Sequence, residues 1–378
     1  MTTFADDLAF MEKNGKIITL TGEGDAKIAL SAEWQGRVMT SGVGAQGRSL
    51  GWINRSFIEA KKTGTQFDNF GGEDRFWLGP EGGQYGLYFP PGAKYDFDLW
   101  QTPHAMQEGA WTVKSQDAKS VTFEKTMKVT NWSKVDFDVK VVRTVRLLGK
   151  ADAKKHLGID VSAPLVAYES DNEIENAGKV KWTKDKGLVS VWILAMYAPV
   201  PDTRVVIPFD PKSTAQPIVN DAYFGKVPSD RLRVLPEAGV LFFKCDGKQR
   251  GKIGLGPKRA KNVLGSYSAE AKLLTIVQYD KVTRPDAPYV NSMWEQQKEP
   301  YGGDVVNSYN DGSPGPGKPP LGGFYEIETS SPGLELGPGA KGRHAHRTFH
   351  FVGEPAALEP IAKQVLGVGL SEISNSLP

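Results

Sequence analysis

The sequence predicts a mainly β protein, a large antiparallel β-sandwich with a short helix near each terminus. Three observations carry that expectation. Short runs rich in Val, Ile, Thr and aromatic residues alternate apolar and polar positions, as a strand with one buried face requires. The 42 glycines and 25 prolines punctuate those runs at short intervals. Helical spacing of apolar residues is convincing only close to the two ends.

In chain order, Thr3 with Asp6 marks a helix start; Phe4, Leu8 and Met11 lie on one side and Asn14-Gly15 is the stop. Short β runs follow at 16–20, 26–30 and 37–40. The clearest alternation spans Ser120 to Leu148: Val121, Phe123, Met127 and Val129, then Phe137, Val139, Val141 and Val145 beyond a turn near Trp132-Ser133. Further strands are expected at 158–162, 165–170, 171–176, 188–196, 205–208, 240–244 and 273–279. A second helix is expected over 355–366, where Leu358, Ile361, Ala362 and Val365 share a face. Ser308 to Gly323 is too rich in proline and glycine for regular structure and reads as a rim or a disordered loop. No repeat or composition shift marks a boundary, so residues 1–378 are expected to form one domain.

Net charge is +2, with both signs interspersed, which gives no reason to expect nucleic acid or an anionic membrane as partner. No apolar stretch reaches the length of a spanning helix. Cys245 is the only cysteine, so neither an internal disulfide nor a cysteine zinc motif is available. No basic region followed by an apolar run opens the chain, so a cytoplasmic protein is the simple expectation. A periplasmic protein already stripped of a leader would read the same. No nucleotide fingerprint, phosphate loop or nucleophile elbow is present, and no cofactor is expected.

The stretch Asn69 to Tyr85 holds three acids, one arginine, one tryptophan and five glycines in seventeen residues. It is too charged for a core strand and too aromatic for a solvated loop. A sugar site reconciles the two, because aromatic faces take the C–H side of a pyranose while carboxylates and guanidinium take its hydroxyls. Glu73, Asp74, Arg75 and Trp77 are therefore substrate-binding candidates; the plainer alternative is a turn whose charges pair with one another.

Glu326 and Glu328 stand two apart on an expected strand and so share a face. His344, His346 and His350 share a face of the next strand, and the two strands are expected to pair as a hairpin. That polar surface could be an acid/base site, a divalent-metal site built on Glu326, Glu328, His344 and His346, or a plain solvent-facing edge. His104 lies in an aperiodic segment flanked by aromatics. Trp77, Trp100, Trp111, Trp182, Trp192 and Trp294 could wall a sugar groove, although core positions are the commoner fate of tryptophan.

Taken in order, Asn69–Arg75, His104 to Trp111, Phe324-Tyr-Glu-Ile-Glu-Thr and Leu336-Gly-Pro-Gly339 resemble the galactose mutarotase-like superfamily. That group comprises aldose 1-epimerases and related carbohydrate-binding supersandwich domains. The text Gly-Gly-Glu-Asp-Arg-Phe-Trp-Leu-Gly-Pro-Glu-Gly-Gly is closest to an uncharacterised bacterial branch of it, and the likeness covers residues 16 to 352. The resemblance implies a supersandwich with a sugar cleft on its concave face. It implies Glu328 as catalytic base, His104 as the sugar-holding histidine, Arg75 as the sugar-holding arginine and Asp221 as a looser binding match.

One departure matters. The family's catalytic histidine belongs between Glu175 and Tyr197, where this chain has none and carries Trp182 and Trp192 instead. The expectation is therefore a small-molecule sugar or oligosaccharide partner, with acid/base chemistry on Glu328 and a non-catalytic sugar-binding module as the two open readings.

Overall fold

The computed structural model describes residues 2–282, 284 and 286–378. Helix α1 (Phe4–Asn14) begins in a reciprocal capping box between Thr3 and Asp6. Strands β1 (Ile18–Thr21), β2 (Ala26–Ser31) and β3 (Arg37–Val43) form a small antiparallel sheet. After α2 (Arg55–Ala60) come β4 (Arg75–Gly79), α3 (His104–Gln107), β5 (Thr112–Gln116), β6 (Ser120–Thr130) and β7 (Asp136–Leu148). Helix α4 (Lys150–Leu157) leads to β8 (Leu165–Asn176), β9 (Ser190–Tyr197), β10 (Arg204–Pro208), β11 (Leu232–Leu235), β12 (Val240–Lys244) and β13 (Gly251–Leu255). The chain closes with β14 (Val263–Ser268), β15 (Leu273–Tyr279), β16 (Val306–Asn310), β17 (Tyr325–Ser330), β18 (Lys341–Val352), α5 (Pro355–Leu366) and α6 (Leu370–Ser374).

Two antiparallel sheets dominate. Ten strands run in the order β11-β12-β10-β14-β15-β18-β8-β7-β6-β5, and five in the order β13-β16-β17-β9-β4. Their facing sides interdigitate: Ala195, Tyr197, Tyr325 and Ile327 of the smaller sheet pack with Val205, Leu264 and Val277 of the larger. Helices α5 and α6 cover part of the other face of the larger sheet, where Leu358, Ile361 and Ile373 meet Ile276, Phe349 and Phe351. Over the outer face of the five-stranded sheet lie the segments that bring in Phe97, Trp100, Phe224, Trp294 and Leu321. No described helix is long and apolar enough to cross a membrane.

Both expected helices form, and most expected strands form within a few residues. Three local expectations are corrected. Residues 165–176 are one continuous strand rather than two. The run at 158–162 is not a strand, because Gly158 takes a left-handed conformation to end α4, a helix its charged composition hid. The third correction has most consequence: β17 and β18 do not form a hairpin. Strand β17 pairs with β16 and β9 in the smaller sheet, and β18 with β15 and β8 in the larger.

Candidate functional site: a tryptophan-walled cavity on the five-stranded sheet

Alternation along each strand decides what faces outward from the five-stranded sheet. Register aligns Arg75 with Leu194, Trp77 with Trp192, Glu328 with Leu194 and Asn307, Glu326 with Met196 and Tyr309, and Tyr309 with Lys252. These residues, from five strands, therefore share the outer face. Above it the loops close a cavity that encloses about 560 Å³ of space, its mouth included. Its walls include Trp77, Trp100, Trp192 and Trp294, and its charged lining is Arg75, Glu81, Arg250, Lys252 and Glu326. The mixture of apolar walls with a few convergent polar groups is that of a small-molecule site.

Glu326 and Arg75 form the centre. Arg75 Nη2 lies 2.9 Å from Glu326 Oε1, and the two residues are 2% and 5% exposed. The guanidinium carbon also stacks 3.9 Å from the Trp77 ring centroid. Among the described residues, Arg75 Nε and Nη1 have no hydrogen-bond partner, so a lining cation keeps unused donors. Burial pushes the Glu326 carboxyl well above the usual carboxylate range; Arg75 opposes that shift and nearby Glu328 adds to it. Burial likewise lowers Arg75, against the pull of Glu326.

Glu328 lies on the same sheet face but not in the cavity wall. It is wholly buried, and Oε2 accepts hydrogen bonds from Lys252 Nζ at 3.0 Å and Trp192 Nε1 at 2.9 Å. Those two side chains roof it. Burial alone would depress the Lys252 ammonium, but Glu328 and Glu81 outweigh it and hold the lysine above its ordinary value. Glu81 accepts from Trp100 Nε1 at 2.9 Å, and burial raises its carboxyl.

The remaining sequence candidates are placed elsewhere. The His104 side chain, on α3, is 79% exposed beside Glu108 and outside the cavity. Glu73 points between the two large sheets, where its Oε2 lies 2.9 Å from His350 Nε2. Asp74 forms a fully buried ion pair with Arg143, 2.6 Å across, beneath the small sheet. Asp221 pairs with the exposed Lys226 at 2.7 Å in a loop.

The proposed metal set is also separated. His344 Nε2 and His346 Nδ1 both meet Thr329 Oγ1, on the inner face of β17, whereas Glu326 and Glu328 occupy its outer face. One ion cannot bridge a sheet, so the Glu326, Glu328, His344 and His346 site is not formed. The reason is the period of the strand: neighbours in sequence alternate sides, and β18 lies below β17 rather than beside it.

Sequence reasoning missed Glu81, Arg250 and Lys252. A local signal was available for the lysine, which interrupts the apolar run Gly251-Lys-Ile-Gly-Leu255. A buried cation inside such a strand needs a partner. Of the six tryptophans weighed, Trp111 and Trp182 pack into the core instead of the cavity.

Solved structures share the fold. An Escherichia coli K12 protein provisionally named an aldose 1-epimerase superposes with a TM-score of 0.53 at 12% identity, covering 89% of this chain and 98% of its own. A galactose mutarotase-like protein from Lactobacillus casei ATCC 334 gives 0.50 at 12% identity, over 89% and 100% of the two chains. At such identities the likeness speaks for the fold, which is the galactose mutarotase-like sandwich. Among curated proteins none matches. A family model matches residues 2–377, nearly the whole length, and on that ground the chain belongs to the family of unknown function DUF6786.

Proposed function

We propose that the protein binds a carbohydrate ring in the cavity on the five-stranded sheet, with Glu326 exchanging a proton with the bound sugar. One observation carries this reading. The buried Arg75–Glu326 pair, with unused guanidinium donors, lies among tryptophan faces on a concave surface. Indole faces cover the apolar side of a sugar, and charged donors and acceptors meet its hydroxyls with strong hydrogen bonds. Glu326 takes the acid/base role because it lines the cavity and its raised carboxyl can hold a proton near neutrality. Glu328, roofed by Lys252 and Trp192, fixes the lysine instead.

A second reading, a binding module without catalysis, has its own support. All five histidines lie outside the cavity: His104 on the surface, His156 on α4, and His344, His346 and His350 between the sheets. Proton NMR of α-glucose and α-galactose separates the two. Anomer exchange accelerated by the wild type and lost in Glu326→Gln supports proton exchange. Quenching of tryptophan fluorescence by sugar without acceleration supports the module. Neither effect at millimolar sugar sinks the proposal.

A further inference from the structure

The charges lining the cavity are not all paired with one another. Arg75 is matched by Glu326 and Lys252 by Glu328. Arg250 lines the same cavity, and among the described residues it forms no ion pair. Its guanidinium carbon lies 3.7 Å from the centroid of the Phe224 ring and 5.4 Å from that of Phe97. Two aromatic rings therefore fix the cation at the wall without neutralising it. Glu81, the lining carboxyl outside these pairs, accepts from the Trp100 indole and is attracted to Lys252 and, more weakly, to Arg250, while burial, the largest influence on it, raises its carboxyl.

We infer that the sugar this cavity takes carries an anionic group, a carboxylate or a phosphate ester, which docks on Arg250. A guanidinium seated beside aromatic faces keeps its planar fork of donors, the group that grips either anion through two parallel hydrogen bonds. Its position beside an aromatic-walled chamber places the anion at one end of the ligand and leaves the ring hydroxyls to Arg75 and Glu326. A neutral hexose would leave Arg250 without an ion-pair partner at the cavity wall.

The inference rests on the sugar-binding reading above, and the test separates the two. Tryptophan fluorescence of the full chain is titrated with glucose, galactose, glucuronate, galacturonate and glucose 6-phosphate, at low and at moderate salt. At least one anionic sugar is expected to bind tenfold or more tighter than its neutral parent, with affinity falling as salt rises. The better of uronate and phosphate ester identifies the anion. Arg250→Gln should erase that advantage, and Arg250→Lys should restore part of it by returning the charge without the fork. Neutral sugars binding as tightly as the anions, or Arg250→Gln weakening both equally, overturns the anion inference and leaves sugar binding standing. Silence toward every sugar, charged or neutral, overturns both.

Discussion

Arg75 and Glu326, 251 residues apart in sequence, form a buried ion pair 2.9 Å across on the outer face of the five-stranded sheet. Its two halves differ in what they can do when left alone. A carboxyl whose folded-state affinity for protons is already raised becomes neutral by binding one, whereas a guanidinium keeps its charge.

The two deletions should therefore be unequal. Glu326→Gln leaves a buried arginine without its counter-ion wherever the carboxylate is ionised, and is expected to cost about 3 kcal/mol at pH 9, within the range for breaking a buried pair, and less at pH 6. Arg75→Met should cost less near pH 6, where Glu326 can take up a proton. Its penalty should grow as pH rises, because a raised carboxyl contributes stability at low pH that is lost on passing toward its folded pKa. Urea midpoints of both variants at pH 6 and pH 9 measure this; equal penalties at both pH values would refute the argument.

Acid should weaken the fold through the histidines between the sheets. Burial lowers His344 to about 3 and His346 to about 4. Unfolded, each would titrate near 6.5, so the unfolded chain binds protons that the folded chain refuses. Stability then falls as pH drops through that window, by at most about 1.4 kcal/mol per pH unit for each histidine. The raised carboxyls of Glu81 and Glu326 act in the opposite sense. His344→Gln combined with His346→Gln should flatten the acid limb of the Tm against pH curve relative to wild type.

Replacing His104 should do almost nothing. It is exposed and makes a surface contact with Glu108 one helical turn away, an arrangement typically worth about 0.3–0.5 kcal/mol. His104→Ala is expected to shift Tm by a degree or two and to leave sugar titrations unchanged. A tenfold loss of sugar affinity would return it to the site.

Asp74 should behave as a structural residue. Arg143 spends Nε on the Gly36 carbonyl, Nη1 on Asn172 and Nη2 on Asp74. Asp74→Ala strands a fully buried cation and should cost about 3–5 kcal/mol in chemical denaturation. Any folded fraction should bind sugar with wild-type affinity, since Asp74 does not line the cavity.

The segment 312–321 is held at its base by Asp311, whose carboxylate accepts from the Tyr309 hydroxyl at 2.9 Å and from the Gly322 and Gly323 amides at 2.8 Å. Asp311→Ala should free that loop. Limited proteolysis is expected to cut it within 312–321 several times faster than in wild type, and an unchanged cleavage pattern would show that Leu321 and Asn69 anchor it unaided.

Much of the site was legible one residue at a time. Glu326 and Glu328 were correctly placed on one strand face, since a period of two needs no partner to be recognised. Arg75 and Trp77 were singled out because their neighbours suit neither a core nor a loop, and both reached the cavity. Glu73 and Asp74, drawn from the same stretch, did not. They precede the strand proper and turn inward to His350 and Arg143, partners that no local pattern names. Arg250 was overlooked because a single cation beside a short apolar strand names no partner; Lys252, inside that strand, signalled that it needed one but not that Glu328 supplied it.

Local patterning along the chain was enough to set the β class, the two helices expected near the termini and the sidedness of β6, β7, β17 and β18. These depend on spacing, capping and turn residues within about ten positions of one another. Which strands became neighbours was settled at the level of the whole fold. It set β18 beneath β17, parting the histidines from the glutamates, and it carried Arg75, Lys252 and Glu326 onto one surface. Such pairing is chosen by burial summed over the whole sandwich, a quantity no short window of residues contains.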